Sequence, residues 1–388
     1  MKILIAADLH YPTINGIATF SRNLARGLAQ LGHEVMVIAP SQSGKATVEK
    51  DGNYTIVRTK AIPFVFYQNF RISPRPTKEV RKVIDEFKPD VIHVQVAMFI
   101  GMAAMKYGNE LGVPIVSSNH TMPENTLDNI QFLAPVADQI SAWLYRFALR
   151  FYAETDYMTM PTQSAIDHFH IEGKLDIPVE PVSNGIDLSR FEPTAPKPAL
   201  YKKFGIPKNK KVVAYVGRLD KEKHLPVLVR AFKKLQKDVD GLHLLIVGDG
   251  TDRHNLERIV HHEKLKNVTI TGRVTDDEIV QLHKVGTVFC MPSPAELQSI
   301  ATLEAMASGQ PVVAIKAGAL AELCQDGRNG YICEKDDVEG IASALKKILA
   351  DDTLRQRFSK QSLAIAHTHD LQTTIKRYEA IYLSLIKA

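Results

Sequence analysis

A chain of 388 residues, 45% hydrophobic and 23% charged, has material for two ordinary domains, each with its own core. A net charge of +5 is too small to argue for nucleic acid, and no window approaches the roughly 18 unbroken apolar residues of a membrane-spanning helix. The three cysteines, Cys290, Cys324 and Cys333, are odd in number and lack metal-like spacing, so they are expected to be reduced and structural.

The first residues, MKILIAADLH, carry one Lys, an apolar run too short for a signal core and no small-residue cleavage site. They read as a buried strand, Lys2 to Ala7, which implies a cytosolic protein. A loop from Pro12 to Gly16 follows, then helical spacing from Thr19 to Leu31 (Phe20, Leu24, Leu28, Leu31) and a strand from Glu34 to Ala39. This is a βαβ unit, and Gly16 in its first loop leaves a side-chain-free spot where a phosphate or sugar can approach the backbone.

Between Arg58 and Lys82 seven basic residues (Arg58, Lys60, Arg71, Arg75, Lys78, Arg81, Lys82) face one acid, Glu79, with Phe64, Val65, Phe66, Tyr67 and Phe70 interleaved. A basic, aromatic loop of this kind suits an anionic membrane surface, where each cation near the headgroups contributes about 1 kcal/mol. The competing reading is a solvated loop whose aromatic residues fold back onto the core.

Alternation continues with a strand at Val91 to Val94, a helix near Gly101 to Leu111 and a strand from Val113 to Ser118. His120 follows directly, at the carboxyl end of a parallel strand, where open α/β sheets bind ligands, unless it is a satisfied surface histidine. A helix from Ala137 to Tyr152 is expected to be anchored by Trp143, Phe147 and Phe151. A strand at Met158 to Pro161, a short helix at Ser164 to Phe169 and the segment Val182 to Asp187 close the first half.

A Pro- and Lys-rich stretch, Phe191 to Lys211, reads as the linker, placing the domains at 1–190 and 191–370. The second half repeats the alternation. Strands are expected at Val212 to Val216, Leu242 to Val247 and Val268 to Thr271, and helices at Leu225 to Leu235 and Asp277 to Lys284. A last helix runs from Leu371 to Ile386. Two doubly wound α/β domains leave the cleft between them as the natural site.

The loop after the strand at Val212 carries Arg218 and Lys223, two cations able to neutralise a diphosphate, unless they are spent on Asp220 and Glu222. The segment 292–314, PSPAELQSIATLEAMASGQPVVA, turns out of a strand into a helix near Ser299. There the N–H groups of Ser299, Ile300 and Ala301 form an anion site flanked by the carboxylates of Glu296 and Glu304, unless the segment is simply a capped helix of an α/β domain. No zinc-hydrolase, P-loop or hydrolase-elbow motif occurs. The one Asp-x-Asp, Asp238-Val239-Asp240, lies away from any strand carboxyl end, so no metal and no cofactor is expected.

Together, Asn15-Gly16, His120, GRLDKEK at 217–223 and AELQSIATLEAMASGQPVVA at 295–314 resemble glycosyltransferase family 4, retaining enzymes of the two-domain GT-B fold. The resemblance implies that the C-terminal domain binds a nucleotide sugar and the N-terminal domain the acceptor. It assigns the diphosphate to Arg218 and Lys223, sugar hydroxyls to Glu296 and the ribose to Glu304. His120 then contacts the sugar near the reacting carbon, Gly16 lies against the donor, and Arg273 with Val274 receives the base. The last helix, 371–388, is expected to brace the N-terminal domain. Gln298 and Ser299 depart from the aromatic residue and glycine of many members, and Leu297-Gln298 brings the segment closer to lipid-glycosylating branches. These include diacylglycerol glucosyltransferases and phosphatidylinositol mannosyltransferases. The expected reaction is therefore transfer of glucose from UDP-glucose to a membrane lipid such as diacylglycerol, by a peripheral protein at the inner membrane face. A soluble or polysaccharide acceptor, a GDP-mannose donor, a sugar nucleotide epimerase and a non-catalytic binding module are the alternatives.

Overall fold

Short apolar runs bounded by turns become strands buried on both faces, as a parallel sheet covered by helices requires. The computed structural model describes residues 1–13, 15–64, 70–122, 137–169 and 174–387. Its chain divides into two units, Met1–Gly185 with Leu371–Ala388, and Ile186–Asp370.

In the first unit the strand Lys2–Ala6 is central, pairing in parallel with Glu34–Pro40 on one side and Val91–Val94 on the other. The sheet runs in the order Val179–Pro181, Tyr157–Met160, Ile115–Ser118, Val91–Val94, Lys2–Ala6, Glu34–Pro40, Tyr54–Thr59, Thr47–Asp51. The last strand is antiparallel and solvent-exposed, and its charges Glu49, Lys50 and Asp51 discourage further edge pairing. The helix Leu371–Ile386 belongs to this unit, inserting Ile375, Tyr378, Ile381 and Tyr382 into the core beside Phe20, Leu24 and Leu28. Gly27 permits that approach, since a Cβ there would lie 1.9 Å from Ile375 Cδ1.

The second unit has a six-stranded sheet, all parallel, in the order Val268–Ile270, Leu242–Val247, Lys211–Val216, Val288–Met291, Val312–Ile315, Gly330–Cys333. The division falls at Gly185 and Ile186, before the expected linker. The reason is packing: Phe191, Leu200 and Ile206, all within the Pro- and Lys-rich stretch, are buried in the second unit's core, and Pro198–Phe204 is a helix. The three cysteines are buried and free. Among the described residues no helix is long and apolar enough to cross a membrane.

Candidate active site

The second sheet reverses its direction of winding between Lys211–Val216 and Val288–Met291, the point where open parallel sheets form a crevice at their carboxyl ends. The loops leaving those two strands carry Gly217 to Lys223 and Pro292 to Ser299. The first is held by close backbone contact. Gly248, at φ 134°, has no room for a side chain, because a Cβ would sit 1.9 Å from the carbonyl oxygen of Gly217.

Within this crevice Arg218 contacts Asp220 through Nη1, and its Nη2 donates to Glu222 Oε1 at 2.6 Å. Lys223 Nζ donates to Glu296 Oε1 at 2.7 Å and to Ser293 Oγ at 3.4 Å. Arg218 is thus spent on Asp220 and Glu222, as the salt-bridge alternative expected, whereas Lys223 pairs with Glu296 instead. Burial raises the Asp220 carboxyl, but Arg218 and bonds from Thr251 outweigh it and hold it below the usual carboxylate range. Two cations facing Asp220, Glu222 and Glu296 leave the cluster one charge negative when all are ionised. The cluster therefore carries no excess positive charge, and the helix start beside it is its other electropositive feature.

That helix start is built by Ser299, whose Oγ accepts from Thr302 N at 3.3 Å, ahead of the helix Ile300–Ala307. The backbone of Glu296 is pinned: its carbonyl accepts from Ala319 N at 3.0 Å, and a Cβ on Gly318 would lie 2.4 Å from the same oxygen. Glu304, inside the helix, contacts the buried ring of His283, with Nε2 3.1 Å from Oε2. Neither His283 nor this contact was expected from sequence, where a lone histidine ending an amphipathic helix carries no signal. Arg273 is exposed and Val274 packs against the core. Among the described residues no group of three or more His, Cys, Asp or Glu could hold a metal ion.

In the first unit Gly16 is exposed and opens the helix Gly16–Gln30, which Asn15 caps by accepting from Ala18 N at 2.8 Å. His120 packs tilted against Phe20, with ring centroids 4.3 Å apart. Burial pushes its imidazole down to about 3, opposed by the neighbouring Asn184 side chain. Both ring nitrogens are shielded from solvent, and among the described residues neither has a hydrogen bond of good geometry. Behind Phe20, His93 bonds Tyr382 Oη at 2.6 Å and Ser118 Oγ at 2.7 Å, so the last helix supports this wall.

The basic, aromatic stretch is not one solvated loop. Arg58 is buried, and its Nη2 donates to the carbonyl of Tyr11 at 2.6 Å. Phe70 is buried with Leu9, Ile17 and Val96, and Phe64 packs tilted against it at 5.1 Å. Arg71 donates to the Ala61 carbonyl, whereas Arg75 is exposed. Lys78, Arg81 and Lys82 lie on the helix Thr77–Phe87, where Arg81 and Lys82 pair with Asp85 and Glu86. Phe66 and Tyr67 lie outside the described residues. An exposed aromatic residue lies elsewhere. Trp143, expected as a core anchor, is 57% exposed on the helix Ala137–Tyr152, stacked on Phe147 and sharing its face with exposed Arg146 and Arg150.

Two family models tile the chain: Glycosyltransferase Family 4 matches residues 14–190, and Glycosyl transferases group 1 matches residues 196–364. The alpha-monoglucosyldiacylglycerol synthase of Streptococcus pneumoniae is 26% identical over 356 residues, covering 89% of this chain and 78% of that protein. A GDP-mannose-dependent alpha-mannosyltransferase of Mycolicibacterium smegmatis is 27% identical over 386 residues, with 98% of each covered. Among solved structures, Anabaena HepE in complex with UDP and glucose matches with a TM-score of 0.76 at 19% identity, over 99% of this chain and 100% of that one.

Proposed function

Because the chain belongs to glycosyltransferase family 4 and has the GT-B fold, we propose that it transfers glucose, with retention, from UDP-glucose to a membrane lipid such as diacylglycerol. The diacylglycerol synthase relative supports the lipid acceptor, and the UDP complex of HepE supports the donor base. The observation that carries the lipid reading is the exposed Trp143 beside Arg146 and Arg150. An aromatic wedge flanked by cations, with a half-buried Phe147 beneath it, suits the headgroup layer of an anionic membrane. The protein would then work as a peripheral protein at the cytoplasmic membrane face.

In this reading the sugar–phosphate bond breaks as negative charge grows on the leaving diphosphate. Arg218, Lys223 and the N–H groups of Ile300 and Ala301 meet that charge, a stabilisation whose components are each worth on the order of 3 kcal/mol in such sites. The diphosphate competes with Asp220 and Glu222 for Arg218, and with Glu296 for Lys223. Released from Lys223, the Glu296 carboxylate accepts from the sugar hydroxyls. The family resemblance assigns neutral His120 to the sugar as well, and the leaving phosphate takes the acceptor's proton on the face it vacates. These groups take the place of a divalent ion, so chelator should leave turnover unchanged.

The test is purified protein with UDP-glucose or GDP-mannose and vesicles containing diacylglycerol and phosphatidylglycerol. A labelled, lipid-extractable product from UDP-glucose, formed on vesicles that bind the protein, is the expected result. Product confined to the aqueous phase, or no vesicle binding, overturns the lipid acceptor. Turnover with GDP-mannose alone overturns the glucosyl donor in favour of a mannosyl one, the second reading, which the mannosyltransferase relative supports.

A further inference from the structure

We propose that His283 is a positioning residue that holds one oxygen of Glu304 so that the other accepts from the ribose hydroxyls of the nucleotide. The inference rests on the nucleotide-sugar reading above. His283 ends the helix Asp276–His283 and is fully buried, at 0% exposure. Its ring lies edge-on to Phe191, with centroids 5.6 Å apart, and tilted against Phe289 at 6.0 Å. Its backbone carbonyl accepts from Gln310 Nε2 at 2.7 Å. Gln310 is itself buried and packs over Gly286, where a Cβ would lie 2.0 Å from Gln310 Oε1. Ring and backbone are therefore both fixed.

Nε2 of this fixed ring lies 3.1 Å from Glu304 Oε2. An ionised carboxylate only accepts, so Nε2 carries the hydrogen whatever the charge on the ring. Among the described residues Glu304 Oε1 has no partner, and the side chain keeps 17% of its surface exposed. A carboxylate tied at one oxygen and open at the other is already oriented for a ligand hydroxyl, and ordering it costs no further side-chain freedom on binding. Without His283 the same glutamate is free to rotate on its long side chain, and its acceptor is no longer aimed. The chemistry that fits is a pair of adjacent hydroxyls, as ribose presents and 2′-deoxyribose does not.

The experiment is calorimetric binding of UDP and 2′-deoxy-UDP, and of GDP and 2′-deoxy-GDP, to the full chain. The unaltered protein should prefer the ribonucleotide about tenfold or more, the usual range for losing one hydrogen bond to a charged group. His283→Phe keeps an aromatic ring among Phe191 and Phe289 and removes the donor, so the preference should fall several-fold. His283→Gln, which retains an N–H donor, should recover part of it. Glu304→Gln separates the two levels of inference. If Glu304→Gln lowers the preference but neither His283 variant does, the positioning role is overturned and the nucleotide reading stands. If Glu304→Gln also leaves the preference unchanged, Glu304 does not hold the ribose and the assignment beneath the proposal fails. A merely structural His283 would weaken both nucleotides equally and leave their ratio alone.

Discussion

Replacing Lys223 with Met removes a charge while keeping side-chain bulk. Lys223 Nζ lies 2.7 Å from Glu296 Oε1, with side chains only 11% and 13% exposed, so the substitution leaves Glu296 with an almost buried, uncompensated charge. Removing one partner of a buried pair costs about 3–5 kcal/mol. The residual exposure lets water reach Glu296, so about 3 kcal/mol is expected here. At roughly 2–4 °C per kcal/mol for a unit of this size, the melting midpoint of the second unit should fall by roughly 6–12 °C. The double variant Lys223→Met with Glu296→Gln removes both charges, and most of the lost stability should return, because a neutral replacement of a buried pair is often nearly neutral. Turnover should not return. Both variants are expected to lose about a hundredfold or more, since the double variant still lacks the Lys223 donor to the diphosphate and the Glu296 carboxylate. Thermal melts and donor turnover measured on the same preparations decide it. A single variant within about 0.5 kcal/mol of the parent would refute the buried-pair argument, and a double variant with restored turnover would refute the catalytic one.

Gly248→Ala should be among the most damaging single changes, costing about 3 kcal/mol or more, because its new Cβ would meet the Gly217 carbonyl oxygen at 1.9 Å; a urea midpoint measures it. Acidification should destabilise the protein through His10, His93 and His120, which burial pushes down to about 3. Their contribution is complete above pH 6.5 and is lost as pH falls toward 3, at up to about 1.4 kcal/mol per pH unit for each ring, since only the unfolded chain takes up those protons. Asp8, raised by burial to about 6 despite bonds from Ile100 and Gly101, acts in the opposite sense. Its share is present below 3.8 and is lost as pH rises through 6, so the three rings prevail, and melts from pH 6.5 to 4 should show a falling midpoint. Phe20→Leu removes the ring that packs against His120, so turnover should fall about tenfold with donor affinity little changed; equal loss in both would point to simple misfolding. Trp143→Ser should shift stability by less than about 0.5 kcal/mol yet reduce binding to anionic vesicles several-fold in a sedimentation assay.

The helices at 137–152, 225–235 and 371–386 were legible to their ends, because each carries an uninterrupted apolar stripe between polar turns. Less legible was the stretch from 47 to 87. There the strand Tyr54–Thr59 turns Tyr54, Ile56 and Arg58 inward at alternate positions, and charge hides the period-two pattern because its third inward residue is an arginine. The helix Thr77–Phe87 similarly buries Val80, Val83, Ile84 and Phe87 among seven charged or polar neighbours, and counting the basic residues obscured the spacing. In the site, the loops at 217–223 and 292–304 followed from glycine, charge and strand ends. The contact of His283 with Glu304 and the support of His120 by Phe20 arise only when helices pack, so no local pattern announces them.

The last helix completes the first unit, although the whole second unit is synthesised in between. Topologically, Ile186–Asp370 is an insertion in the first unit. Its two ends are joined, with Ile186 N donating to the His369 carbonyl at 2.8 Å. A contiguous segment with adjacent ends can close as soon as it leaves the ribosome, whereas the first unit's sheet must wait for Tyr378 and Tyr382 to cover His93. Folding order should therefore invert sequence order. A chain stalled or cut before residue 371 would present a finished second unit beside a first unit with a hydrophobic seam still open, a natural target for chaperones and proteases.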